Sequence, residues 1–223
     1  MNKNLGLWLA LGLLFGCQPS PESESEAGTA EASEPTGKPA EEARLLPIDL
    51  DEALIATALM AAPEESREGC TVIGYNMAGE FVTLRKGSNS FICLADEPGK
   101  NGFHAACYHK DLEPFMARGR ALKRQGKSPS EIFEIREKEV KAGTLDMGKP
   151  GSTLHVYYGP EERYDPATGA VAGAIYRYVV YIPWATAEST GLPEKPIASN
   201  HPWIMNPGTH RAHIMISPLN ESN

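Results

Sequence analysis

Histidine and cysteine side chains are the groups in this sequence whose spacing permits chemistry. His104-x-x-Cys107-x-His109 and His210-x-x-His213 hold imidazole and thiol groups at intervals from which zinc or copper ligands can be drawn. A thiol at Cys107 beside a base at His104 or His109 is also a minimal arrangement for an activated nucleophile. His155, His210 and His213, with a carboxylate or a metal, form a candidate hydrolytic set, and His109 is a further catalytic candidate. Each has an ordinary structural use beside it. A three-residue step at a loop-to-strand junction sends His210 and His213 to opposite faces. A single strand histidine such as His155 more commonly serves packing. No His-Glu-x-x-His helix, Gly-x-Ser-x-Gly elbow, phosphate loop or dinucleotide fingerprint occurs. The spacing therefore predicts no metal and no cofactor, and the expected role is binding rather than catalysis.

The N-terminus sets the compartment in which those groups are read. Lys3 precedes an apolar run from Leu5 to Phe15, too short for an ordinary spanning helix and laid out as a secretory signal. Its ending, Leu14-Phe15-Gly16-Cys17, resembles the lipobox of bacterial lipoproteins, with Phe15 bulkier than the usual residue two places before the cysteine. The resemblance implies a signal peptide over 1–16, acylation of Cys17, and a lipid bilayer as partner. Several acyl chains on one residue are enough for stable anchoring. Gln18 stands where an Asp favours inner-membrane retention, so in a Gram-negative cell the outer membrane is expected.

Residues 17–44 then form a tether. From Gln18 to Arg44 there is almost no large apolar side chain, so burial cannot offset the entropy of ordering and disorder is expected. Seven glutamates against Lys38 and Arg44 put about −5 of the chain's formal −8 here. The remainder is only mildly acidic, which does not favour nucleic acid as a partner. Residues 45–223 are of a size for one domain with its own core.

In an oxidising envelope, with Cys17 taken by lipid, Cys70, Cys93 and Cys107 are an odd set. Cys93 and Cys107 flank a Pro/Gly loop fourteen residues apart, and closing it stabilises by up to ~3 kcal/mol. That predicts a Cys93–Cys107 disulfide and a buried free Cys70. A Cys107 nucleophile is the alternative, and it must be kept reduced outside the cytoplasm.

The elements that position these groups follow from periodicity. Leu50, Leu54, Ile55, Ala58 and Leu59 predict a helix capped by Asp49 or Asp51 and ended by Pro63. A strand meander is expected over Thr71–Tyr75, Glu80–Arg85 and Ser90–Leu94, with the 97–102 segment as a loop. Helices follow over Asp111–Gln125 and after Ser128-Pro-Ser-Glu131, which has the form of a capping box. Strands return at Thr153–Tyr158, Ala174–Ile182 and Arg211–Ile216. The expected fold is α+β, a single domain with a mainly antiparallel sheet packed by two or three helices. Arg118, Arg120, Lys123, Arg124 and Lys127 gather near a helix C-terminus, where cations are favoured by the helix dipole.

The stretches Cys70-Thr-Val-Ile-Gly, Thr83-Leu-Arg-Lys-Gly-Ser-Asn-Ser-Phe-Ile-Cys93 and Cys107, with a closing His-x-Met strand at His213, resemble a family of uncharacterised secreted bacterial proteins. The resemblance implies that Cys93 and Cys107 pair and that Cys70 is the odd one. It implies no activity.

Overall fold

The computed structural model describes residues 44–218, so Cys17 and nearly all of the acidic tract lie outside the described residues. In chain order the elements are β1 (Leu46–Pro47), α1 (Asp51–Leu59), a 3-10 segment (Glu64–Gly69), β2 (Thr71–Tyr75), β3 (Phe81–Arg85), β4 (Phe91–Leu94) and β5 (Phe103–His109). They continue with α2 (Glu113–Arg124), α3 (Pro129–Lys141), β6 (Thr153–Gly159), β7 (Arg163–Tyr164), β8 (Ile175–Tyr181), α4 (Ala187–Thr190), β9 (Trp203–Met205) and β10 (His213–Ile216).

Eight of these strands form one sheet in the order β3-β2-β4-β5-β6-β8-β10-β9, and β1 pairs separately with β7. Each neighbouring pair in the large sheet is antiparallel except β2–β4. The fold is thus α+β with a mainly antiparallel sheet. The expected meander is corrected at its third strand. β4 crosses to the far side of β2 and runs parallel to it, with Val72 opposite Cys93. The crossing turn is pinned by the Ser88 and Asn89 amides, which both donate to the Gly69 carbonyl at 2.8 and 3.0 Å. Gly87 makes this approach possible, because a Cβ there would lie 2.3 Å from the backbone of Cys70.

β5 is the longest strand that periodicity missed; the short β1, β7 and β9 were also not expected. Phe103, Ala105 and Cys107 face one side, Ala106 and Tyr108 the other, and all five are buried. A central strand covered on both faces loses the apolar–polar alternation that marks a half-buried one.

Each face has its own core. On the first, Leu54 and Ala58 of α1 pack with Val72, Cys93, Phe103, Ala105 and Tyr157. The alanines of α1 let it lie close to the sheet. The expected Asp cap is absent: Leu50 takes the N-cap position without a side-chain bond, and Asp51 instead accepts from the Met77 amide at 2.8 Å, tying α1 to the β2–β3 turn. On the second face Tyr108, Leu112, Phe115, Val179, Tyr181 and Met215 form the other core, beneath α2 and α3. The capping box of α3 is present, with Ser128 accepting from the Glu131 amide and Glu131 accepting from the Ser128 amide.

Candidate functional site

A cleft of about 650 Å³ opens on the second face, walled by β2, β3, the β4–β5 loop, α2 and α3. Tyr75 and Phe81, opposite each other across the β2–β3 ladder, meet edge to face with ring centroids 5.3 Å apart and form one apolar wall. Arg120, Lys123 and Arg124 come from one side of α2, where three- and four-residue steps bring side chains together. Ile132 and Arg136, one helical turn apart, come from α3. The 94–102 segment supplies Asp96, Glu97 and Lys100, and His104 of β5 completes the lining.

Several of these cations are held in place. Arg120 donates to Glu113 at 2.5 Å and to the Tyr108 hydroxyl at 2.9 Å, and Tyr108 in turn donates to Glu113 at 2.6 Å. Burial pushes the Tyr108 phenol far above the ordinary tyrosine range, so it stays a donor. The Arg120 and Arg124 guanidinium groups lie 5.5 and 5.8 Å from the centroid of the Phe81 ring. Glu97 pairs with Lys100 and, at 3.6 Å, with Lys123.

Arg136 is different. It is only 7% exposed, donates to the Phe115 carbonyl at 3.2 Å and stacks over the Phe115 ring at 3.9 Å. Its Nε has no hydrogen-bond partner, and among the described residues no carboxylate pairs with it. Burial, with Arg211 nearby, pulls its pKa down to about 10, so the group is still a cation at neutral pH. Gly119 of α2 gives it room, since a Cβ there would come within 3.0 Å of its Nη1.

Asp96 supplies the opposite anomaly. The residue is 6% exposed and accepts from the His104 amide at 3.0 Å. Burial pushes its carboxyl up to about 6, outweighing the amide bonds from His104 and Glu97 that favour the anion. Crowding by protein atoms lowers the His104 pKa, with Lys123 adding to the effect. The cleft therefore combines excess positive charge, one carboxyl that changes charge near pH 6, and an aromatic wall.

The sequence candidates fall elsewhere. His155 lies on the first face, its ring 5.2 Å from Tyr178 and 6.1 Å from Phe91. His109 stands opposite Phe91 in the β4–β5 ladder, its ring 6.3 Å away, and accepts from the Asp111 amide at 3.3 Å. His210 and His213 share the second face rather than dividing between the two. His210 sits in the turn before β10, between Phe115 at 5.8 Å and Phe133 at 4.7 Å, where strand alternation does not apply. His213 faces the Arg211 carbonyl at 2.6 Å and the Tyr181 ring at 5.6 Å. The sheet separates His155 from the other two, so the three do not share a pocket. His210 is fully buried with neither ring nitrogen partnered, and burial brings its pKa down to about 4.

Cys93 and Cys107 stand directly opposite in the β4–β5 ladder with their sulfurs at disulfide distance, and Cys70 is a buried free cysteine. Cys107 and His104 lie on opposite faces of β5, which parts that nucleophile–base pair.

Asp96, Arg136, Tyr75 and Phe81 were not marked as functional by motif or spacing. One signal was available: Arg136 interrupts the apolar stripe Ile132, Phe133, Val140 of α3. No protein-family model, curated protein or solved structure matches this chain.

Proposed function

We propose that this chain is a lipid-anchored bacterial envelope protein whose cleft binds a small organic anion. The observation that carries the ligand class is Arg136: a buried guanidinium without a carboxylate lacks the counter-charge that buried cations ordinarily require. Arg120, Lys123 and Arg124 extend the positive field to the opening. Tyr75 and Phe81 suit a ligand with a flat or ring-bearing body. The ligand is thus a carboxylate or phosphate carried on such a body.

Phenyl phosphate, benzoate and neutral benzyl alcohol test this on the full chain in detergent micelles, read by thermal unfolding and calorimetry. The two anions should raise the melting temperature and benzyl alcohol should not, and Arg136→Met should remove the response. Equal responses to all three ligands would sink the anion reading.

Anchoring rests on the Cys17 sequence pattern, and the closeness of Cys93 and Cys107 agrees with an oxidising compartment. Cells fed an alkyne-bearing fatty acid should label the protein, and Cys17→Ser should remove the label. Alkylating the denatured, non-reduced protein should modify Cys70 and leave a Cys93–Cys107 disulfide unlabelled.

Asp96 supports a second reading, in which the same cleft turns its ligand over by acid–base chemistry. A buried carboxyl titrating near 6 inside a cleft is suited to proton transfer. Hydrolysis of p-nitrophenyl phosphate that is lost in Asp96→Asn would favour it, and binding without turnover favours the first.

A further inference from the structure

On the face away from the cleft, three sulfurs meet. Those of Cys70, Cys93 and Cys107 all lie within 4.8 Å of one another, and all three residues are 0% exposed. They come from the residue just before β2, from β4 and from β5, so the group exists only because β4 crosses β2 to lie beside it. A disulfide accounts for two of them. Cys70 remains, its thiol donating to the Ser66 carbonyl at 3.1 Å and the Asn89 side-chain amide 3.9 Å from its sulfur. Burial raises the pKa of this thiol, and the Asn89 amide with the Arg85 and Arg67 guanidinium groups, which also donate to nearby backbone carbonyls, partly offsets that. Asn89 is held by the Ser66 carbonyl at 2.7 Å and the arginines by backbone carbonyls, so all three stand ready beside the sulfurs, and each offsets negative charge that a metal-bound thiolate would carry.

We propose that, with the Cys93–Cys107 bond open, these three cysteines form a binding site for one thiophilic monovalent metal ion, Cu(I). The donor set decides the class of ion. Soft thiolates select Cu(I) over harder ions, whereas structural zinc takes four ligands. Among the described residues no histidine or carboxylate joins the sulfur group to supply a fourth.

The steps balance. A dithiol reductant transfers two electrons and two protons to the Cys93–Cys107 bond, giving two thiols and leaving the reductant as a disulfide. Cu(I) then replaces the thiol protons of Cys70, Cys93 and Cys107, forming three copper–sulfur bonds and releasing three protons. The product carries a charge of −2, partly offset by Arg85 and Arg67 near Cys70. With the bond closed, only Cys70 has a free thiol and the site cannot form.

The full chain, reduced with dithiothreitol, freed of it under anaerobic conditions and titrated with Cu(I) from a bicinchoninate complex, tests the proposal. The expected result is one ion per chain, an ultraviolet thiolate-to-copper band, and X-ray absorption showing three sulfur neighbours. Cys70→Ala should lose the three-sulfur signature, and Asn89→Ala should weaken binding by about tenfold or more. If reduction loosens the domain, near-UV circular dichroism should be restored by Cu(I) alone. Two-sulfur coordination, equal binding by Cys70→Ala, no recovery of a loosened domain, or a bond that dithiothreitol leaves closed in the folded protein would each overturn it.

Discussion

The two faces of one sheet are built on opposite terms. Beneath α1, the first face joins alanines, Val72, Phe103 and three sulfurs into a dry core. Beneath α2 and α3, the second places a buried aspartate close to its apolar core, with an arginine and a histidine that lack partners among the described residues. The comparison separates burial that is favourable as it stands from burial that leaves a charge unmet. Burying apolar area is favourable with no further condition. Burying Arg136 without a counter-ion is unfavourable until something fills the cleft. The first face is expected to hold the fold together, and the second to leave an unmet need that a ligand satisfies.

The largest expected effect comes from weakening the first face. Phe103→Ala removes a 2% exposed ring that meets Tyr157 edge to face, and should cost about 3–5 kcal/mol in urea unfolding. A smaller cost would mean that the α1 face is not the main source of stability. Arg136→Met should act in the other direction, raising stability without ligand by on the order of 1 kcal/mol while abolishing anion binding. A loss of stability in this variant would place Arg136 among the structural groups and break the contrast.

Proton linkage sharpens the second face. The Asp96 pKa is raised from 3.8 to about 6, so the folded state takes up the proton more readily and stability falls as pH rises through that interval. His210 is shifted from 6.5 to about 4, so the folded state resists protonation and stability falls as pH drops through that interval. The two slopes oppose each other between about pH 4 and 6, each integrating to roughly 3 kcal/mol. The lowered pKa values of His104, His155 and His213 add to the His210 slope, so denaturation midpoints of the natural protein should fall as pH drops below 6. Asp96→Asn should steepen that fall, and His210→Gln should shallow it. The smallest effect is expected at the capping box of α3, where Ser128→Ala should cost about 1 kcal/mol and leave the cleft's ligand response intact.

What was legible in the sequence follows the same division. α3 was announced by Ser128, Pro129 and Glu131, because a capping box is local. β3 was legible because Phe81 to Arg85 is a half-buried strand. β5 was not, because both of its faces are covered and nothing alternates. The cleft draws on residues from β2 to α3, so no short motif spans it. In sequence the basic run on α2 matches a helix dipole, and that local match hides the fact that Arg120, Lys123 and Arg124 line the cleft. The histidines attracted attention through spacing, but the sheet runs between His155 and the pair His210 and His213.

β5 is a party wall. Cys107 looks toward the sulfur group and the next residue, Tyr108, steadies Arg120 at the cleft. Tenants on the two sides have separate chemistry but a common partition, only one peptide thick at this point. A probe on Tyr108 or Arg120 is therefore well placed to register opening of the sulfur group, without any moving lid or hinge between them.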